Sequence, residues 1–134
     1  MKYSKALVGF LLLGTITTQC FAQEVNVCAK VRGTTGIESQ VQKMIVAKIN
    51  ALKKVTAVDE KQNAHVYIDA TLVEQKQLQF YALGFCIAYH LNGKFYSRPT
   101  SDVAQFGKER IAEVCEFIVK QIDKAFCEPL KKTT

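Results

Sequence analysis

The chain has 134 residues, 49% of them hydrophobic, with 18 lysines and arginines against 12 acidic residues. That is enough for one packed core and too little for several domains. The net charge of +6 is mild and both signs are interspersed, with Lys53-Lys54 and Lys131-Lys132 the only basic doublets, whereas a nucleic-acid binder gathers its basic residues into a stripe.

The first 22 residues carry the three parts of a secretory signal: basic Lys2 and Lys5, an apolar core from Ala6 to Gly14, and the small-x-small end Cys20-Phe21-Ala22. The apolar stretch is shorter than the roughly 20 residues of a spanning helix. Cleavage after Ala22 leaves a mature domain of residues 23–134, starting at Gln23. Gln19 is a poor neighbour for lipidation of Cys20, so processing without a lipid is the favoured route. Two lysines leave with the signal, taking the net charge from +6 to +4. No Asn-x-Ser/Thr sequon is present, which favours a bacterial periplasm over a eukaryotic secretory route. The localisation expected is periplasmic or secreted.

In the mature chain, Val25, Val27, Ala29 and Val31 alternate with Asn26, Cys28 and Lys30, the period of a strand with one buried face. Gly33 breaks it. Thr35 and Glu38 form a capping box, behind which Ile37, Val41, Ile45, Ile49 and Leu52 recur at helical spacing, so a helix is expected over about 36–54. From Ala64 the period returns to two, with Val66, Ile68, Ala70 and Leu72 on one face and His65, Tyr67, Asp69 and Thr71 on a wet one. After a polar turn at Glu74–Gln77, residues 78–90 are apolar on both sides, the pattern of a central strand covered on both faces. Asn92-Gly93 suits a two-residue type I′ turn, so Lys94–Ser97 should return as a hairpin partner and Arg98-Pro99 should close it. A second long helix follows Thr100, with Ile111, Val114, Cys115, Ile118, Ile122, Ala125 and Phe126 on one face, and ends before Pro129. The fold class is therefore α+β in the order β-α-β-β-β-α, a mixed sheet with a central two-sided strand packed by two helices.

Four cysteines remain after cleavage: Cys28, Cys86, Cys115 and Cys127. An even number in a small exported domain predicts two disulfides. Cys115 and Cys127 lie about 18 Å apart along one helix at 1.5 Å per residue, too far to bridge. Matching heights along strand and helix favours Cys86 with Cys115 and Cys28 with Cys127. Because Cys127 continues the polar stripe of Glu116, Lys120 and Asp123, the helix must end or unwind there.

For chemistry, His65 and Asp69 share a face of the second strand and His90 ends the third, and these are the residues that a hydrolytic or metal site would use, but nothing in the spacing makes the set converge. No Cys-x-x-Cys pair, glycine-rich phosphate loop, metal-binding helix motif or serine nucleophile elbow occurs. No cofactor or metal is expected. The aromatic hairpin is the stronger feature: of its aromatics, Tyr81, Tyr89, Phe95 and Tyr96 are the candidates for a partner surface.

Two stretches carry a resemblance. These are Ala82-Leu83-Gly84-Phe85-Cys86-Ile87-Ala88 leading to Ser97-Arg98-Pro99, and Val114-Cys115-Glu116-Phe117-Ile118-Val119-Lys120 through Asp123 to Glu128-Pro129-Leu130. In them the chain resembles small uncharacterised exported bacterial α+β proteins, and the order of elements resembles the N-terminal domain of the TolB proteins. The resemblance transfers no functional residue. The function expected is a non-catalytic binding or adaptor domain whose partner is another envelope or extracellular protein, in the manner of an inhibitor or immunity factor. A small secreted hydrolase or metal-dependent enzyme using His65, Asp69 and His90 is the alternative. No nucleic acid and no membrane span after cleavage are expected.

Overall fold

The computed structural model describes residues 24–91, 93–98 and 103–132. The expected signal segment, Asn92, Pro99 and Thr100 lie outside them. Strand β1 (Val25–Gly33) leads into helix α1 (Glu38–Asn50), then the short strand β2 (Val55–Ala57), a 3₁₀ turn at Lys61–Asn63 and strand β3 (Val66–Gln75). Strands β4 (Phe80–Leu91), β5 (Lys94–Arg98) and β6 (Val103–Phe106) follow, and a 3₁₀ turn at Lys108–Arg110 opens helix α2 (Ile111–Ile122). That helix runs through a π-helical segment, Asp123–Cys127, into helix α3 (Glu128–Lys131).

The sheet is mixed. β1 sits between β2 and β3, parallel to both, and β4 is antiparallel to β3. On its other edge β4 pairs with β5 through residues 87–91 and with β6 through residues 81–84. The α+β class and the mixed sheet with two long helices stand as read from the sequence, and two short strands, β2 and β6, are added. Three residues in β2 and four in β6 are too few for periodicity to register.

Gly33 ends β1 for a specific reason: its φ is +155°, and a Cβ there would run into the Leu72 carbonyl oxygen and the Glu38 carboxylate. The Thr35–Glu38 pair is real but displaced. Glu38 is the first helical residue, and its carboxylate accepts from the amides of Thr35 and Gly36 and from the Thr35 hydroxyl, while Ile37 N donates to Thr35 Oγ1. These bonds tie the loop to the helix start and hold the Glu38 carboxyl below the usual carboxylate range, led by the Thr35 amide.

Both helices pack on one face of the sheet. Val25, Val27, Ala29 and Val31 of β1, Val66, Ile68, Ala70 and Leu72 of β3, and Leu83 and Ile87 of β4 form one core with Val41, Ile45 and Ile49 of α1 and Ile111, Cys115, Ile118, Val119 and Ile122 of α2. This corrects the reading of β4 as covered on both faces: it is central because strands flank both of its edges, and its outward row runs from half-buried Ala82 and Gly84 to exposed Cys86. A smaller cluster of Cys28, Ala64, Tyr67 and Ala88, with Val58 and Phe95 against it, covers one end of the outer face. Tyr67 is therefore buried where a wet face was expected.

The second helix does not stop before Pro129. A strictly α-helical path would send Cys127 outward, as its stripe partners Glu116 and Lys120 are. The π-helical turn inserts a residue's worth of rotation, so that Phe126 and Cys127 are both buried. Pro129 is then accommodated in the first turn of α3, where its missing N–H matters least. Lys131 clamps the segment, reaching Asp123 at 3.2 Å and Glu128 at 2.8 Å. The helix expected to follow Thr100 starts later, since β6 intervenes and Gly107 precedes the 3₁₀ turn with extended backbone.

Candidate binding surface

The expected disulfides are not formed: Cys28, Cys86, Cys115 and Cys127 are free thiols. The sheet itself separates the proposed pairs. Cys28 and Cys86 occupy the outward rows of β1 and β4, while Cys115 and Cys127 belong to the core beneath the helices. Matching height along a strand cannot bring together side chains on opposite faces. Nor can Cys28 reach Cys86, because β3 lies between their strands. Burial raises the thiol pKa of Cys28 and Cys115, and burial reinforced by Asp123 pushes Cys127 up to about 12. Three of these thiols are buried packing residues and Cys86 is exposed, so the cysteine count makes no argument about compartment.

His65 and His90 do come together. The register that sets Val66 opposite Tyr89 puts them opposite each other, and His90 N donates to His65 O at 2.7 Å. Both are structurally occupied: His65 Nδ1 accepts from Asn26 N at 2.9 Å, and the His90 ring lies 5.0 Å from that of Phe95. Asp69 is not with them. It lies four residues along the strand from His65, about 13 Å at 3.3 Å each, and it pairs with Arg32 at 3.1 Å. Among the described residues no three of His, Cys, Asp and Glu are grouped to hold a metal ion.

The four aromatic candidates separate into three settings. Tyr81 is buried, stacked on Phe106 with ring centroids 6.0 Å apart. Phe95 faces outward over the smaller cluster, and Lys61 lies 5.1 Å above its ring and 4.7 Å above that of Tyr67. This loop cation closes the outer cluster, a feature that no local pattern around Lys61 signals. Tyr89 and Tyr96 are on the helix side. Tyr89 touches Phe126 at 6.2 Å and Tyr96 at 5.7 Å, so an aromatic row runs from the core at Phe126, 8% exposed, to the sheet margin at Tyr96, 44% exposed.

Phe117 belongs to the same side. It is 60% exposed on α2, and at 100° per residue it projects from the flank shared with Val114 and Gln121, opposite the flank whose Glu116 and Val119 meet α1 across from Lys48 and Leu52. Among the described residues no strand pairs with the outer edge of β5. The helix-side margin at β5 therefore combines exposed aromatics with an open strand edge. No described helix is long and apolar enough to cross a membrane.

No protein-family model and no curated protein matches the chain. Among solved structures, the hypothetical protein CT253 from Chlamydia trachomatis is similar with a TM-score of 0.61 at 9% identity, over 78% of this chain and 99% of that one. An uncharacterised protein has a TM-score of 0.47 at 8% identity, over 81% of this chain and 94% of that one. The dodecamer of a PelC variant from Paraburkholderia phytofirmans has 0.46 at 14%, over 85% and 92%. Only the first score supports an argument, and at that identity the argument concerns the fold alone. That the first is a hypothetical protein agrees with the resemblance to small uncharacterised proteins.

Proposed function

We propose that this chain is an exported, non-catalytic binding domain that docks another envelope or extracellular protein through the helix-side margin of its β4–β5 hairpin. The observation that carries the reading is the aromatic row from Phe126 through Tyr89 to Tyr96, which ends beside an open strand edge. Aromatic rings buried at one end and exposed at the other offer large apolar area at low entropic cost, and an open edge offers backbone pairing. Export rests on the signal pattern of residues 1–22. An inhibitor or immunity factor is the kind of adaptor that such a domain exemplifies.

Two measurements test it. Mass spectrometry of protein recovered from the periplasm or medium should find the mature N-terminus at Gln23; an intact Met1 in the cytoplasm contradicts export. In pull-downs from an envelope extract, Tyr96→Ala should lose a partner that wild type and a Tyr81→Phe control both recover. Unchanged recovery with Tyr96→Ala counts against the hairpin.

A further inference from the structure

We infer that the occupant of the β5 edge is an extended acidic segment with an apolar centre, added to the sheet as a further strand. The inference rests on the docking reading above and names the chemistry of the partner.

The direction of the backbone groups comes first. His90 N donates towards β3, to His65 O. In an antiparallel ladder the N–H and C=O of one residue point to the same side and neighbouring residues alternate. His90 therefore turns its groups away from β5, and Tyr89 turns its own towards it. Phe95 stands opposite His90 and Ser97 opposite Ala88, so these two positions of β5 aim their amides and carbonyls outward. An incoming strand meets two donor–acceptor pairs that no strand among the described residues takes.

Charge then selects the occupant. Lys94 and Tyr96 alternate onto the helix-side face of β5, and Arg98 holds the next alternate position of the register, opposite Ile87. Lys94 is exposed, and exposed Lys124 follows Phe117 and Gln121 on the same flank of the helical run. The nearby Glu113 is already engaged, held by Arg110 at 2.9 Å. A second copy of this chain is a poor occupant, since antiparallel self-pairing over the whole of β5 would set each Lys94 opposite the other copy's Arg98, and like charges directly opposite are destabilising. A strand with acidic residues opposite positions 94 and 98 and an aromatic or aliphatic residue opposite Tyr96 satisfies both ends and the centre. Its remaining alternate residue lies over Phe95, so it too is apolar.

The test uses the mature protein and a labelled, end-blocked peptide, Thr-Glu-Thr-Phe-Val-Glu-Thr, with a copy in which both Glu are Lys. Fluorescence anisotropy should show the acidic peptide binding about tenfold tighter, a preference that shrinks as salt rises and shortens the screening length. The Lys94→Glu/Arg98→Glu double variant should reverse it. Ser97→Pro removes an outward donor while sparing the bonds to β4, and should weaken binding about tenfold with the thermal transition retained. If that variant does not fold, an acidic peptide N-methylated on the amides that face β5 keeps the charges and loses the pairing, and it should likewise fail to bind. Equal binding of both peptides, or full binding of the N-methylated one, overturns the inference. Should Tyr96→Ala lose its envelope partner while the peptides bind equally, this inference fails and the docking reading stands; recovery of that partner by both Tyr96→Ala and Ser97→Pro sinks the docking reading itself.

Discussion

The two faces of the sheet show what burial does to similar residues. On the helix side, the rows of β1, β3 and β4 are closed by α1 and α2, and Ile45, Ile68, Leu83 and Ile118 are at most 1% exposed. On the outer side, among the described residues, a loop cation and the cluster around Tyr67 and Phe95 cover only one end, and Val73 is 47% exposed. Cys115 and Cys86 share the same chemistry but not the same solvent. The closed face supplies stability, and the incompletely covered margins are where contact with another molecule is available.

The largest effect that would break this contrast is in the core. Ile118→Ala should cost about 3 kcal/mol, because the removed atoms lose their transfer energy and leave a cavity, whereas Val73→Ala should stay within about 0.5 kcal/mol. Urea unfolding of both variants measures the difference, and equal costs would mean that the outer face is covered. Thiol accessibility sharpens it next. In the mature chain an aromatic disulfide reagent should modify Cys86 quickly, and Cys28, Cys115 and Cys127 only as the protein unfolds, since burial both shields these thiols and raises their pKa. Fast reaction of a second thiol in native protein would contradict the arrangement.

A smaller effect concerns the entry to α1. Glu38 is held below its ordinary pKa by the Thr35 amide and the groups beside it, so its charged form stabilises the fold fully above the unfolded value of about 4.3. That contribution is lost as pH falls through the lower folded value. The stability advantage of wild type over Glu38→Gln should therefore be present at neutral pH and shrink in acid, as thermal melts across that range will show. Smallest is Lys61→Met. Losing the cation over Tyr67 and Phe95 should cost about 0.5 kcal/mol, the scale for an exposed cation–π contact. Faster hydrogen exchange confined to the outer cluster is the accompanying signature.

The period of two through Val25–Val31 and Val66–Leu72, the helical spacing of Val41, Ile45 and Ile49, and the Asn92-Gly93 turn signal were all legible, and the described β4–β5 register agrees with the last: Leu91 pairs with Lys94, and Gly93 has a φ of +79°. Each is a local pattern. Of the aromatic candidates, Tyr96 is exposed and Tyr89 half-buried at the sheet margin, whereas Tyr81 is buried because β6 brings Phe106 over it. His65 and His90 were nameable as a pair only once cross-strand register was known.

By itself the sequence determined the main elements, their order and which residues of each strand share a face, because side-chain direction repeats every 2 residues in a strand and every 3.6 in a helix. Only the tertiary structure decided that both helices lie on the same face. That choice parts Cys86 from Cys115 and Cys28 from Cys127; on the other face the turn bearing Lys61 buries Tyr67, and at the end of the second helix the chain turns through Asp123–Cys127 so that Cys127 points inward. These outcomes depend on contacts between residues tens of positions apart, which no local period encodes.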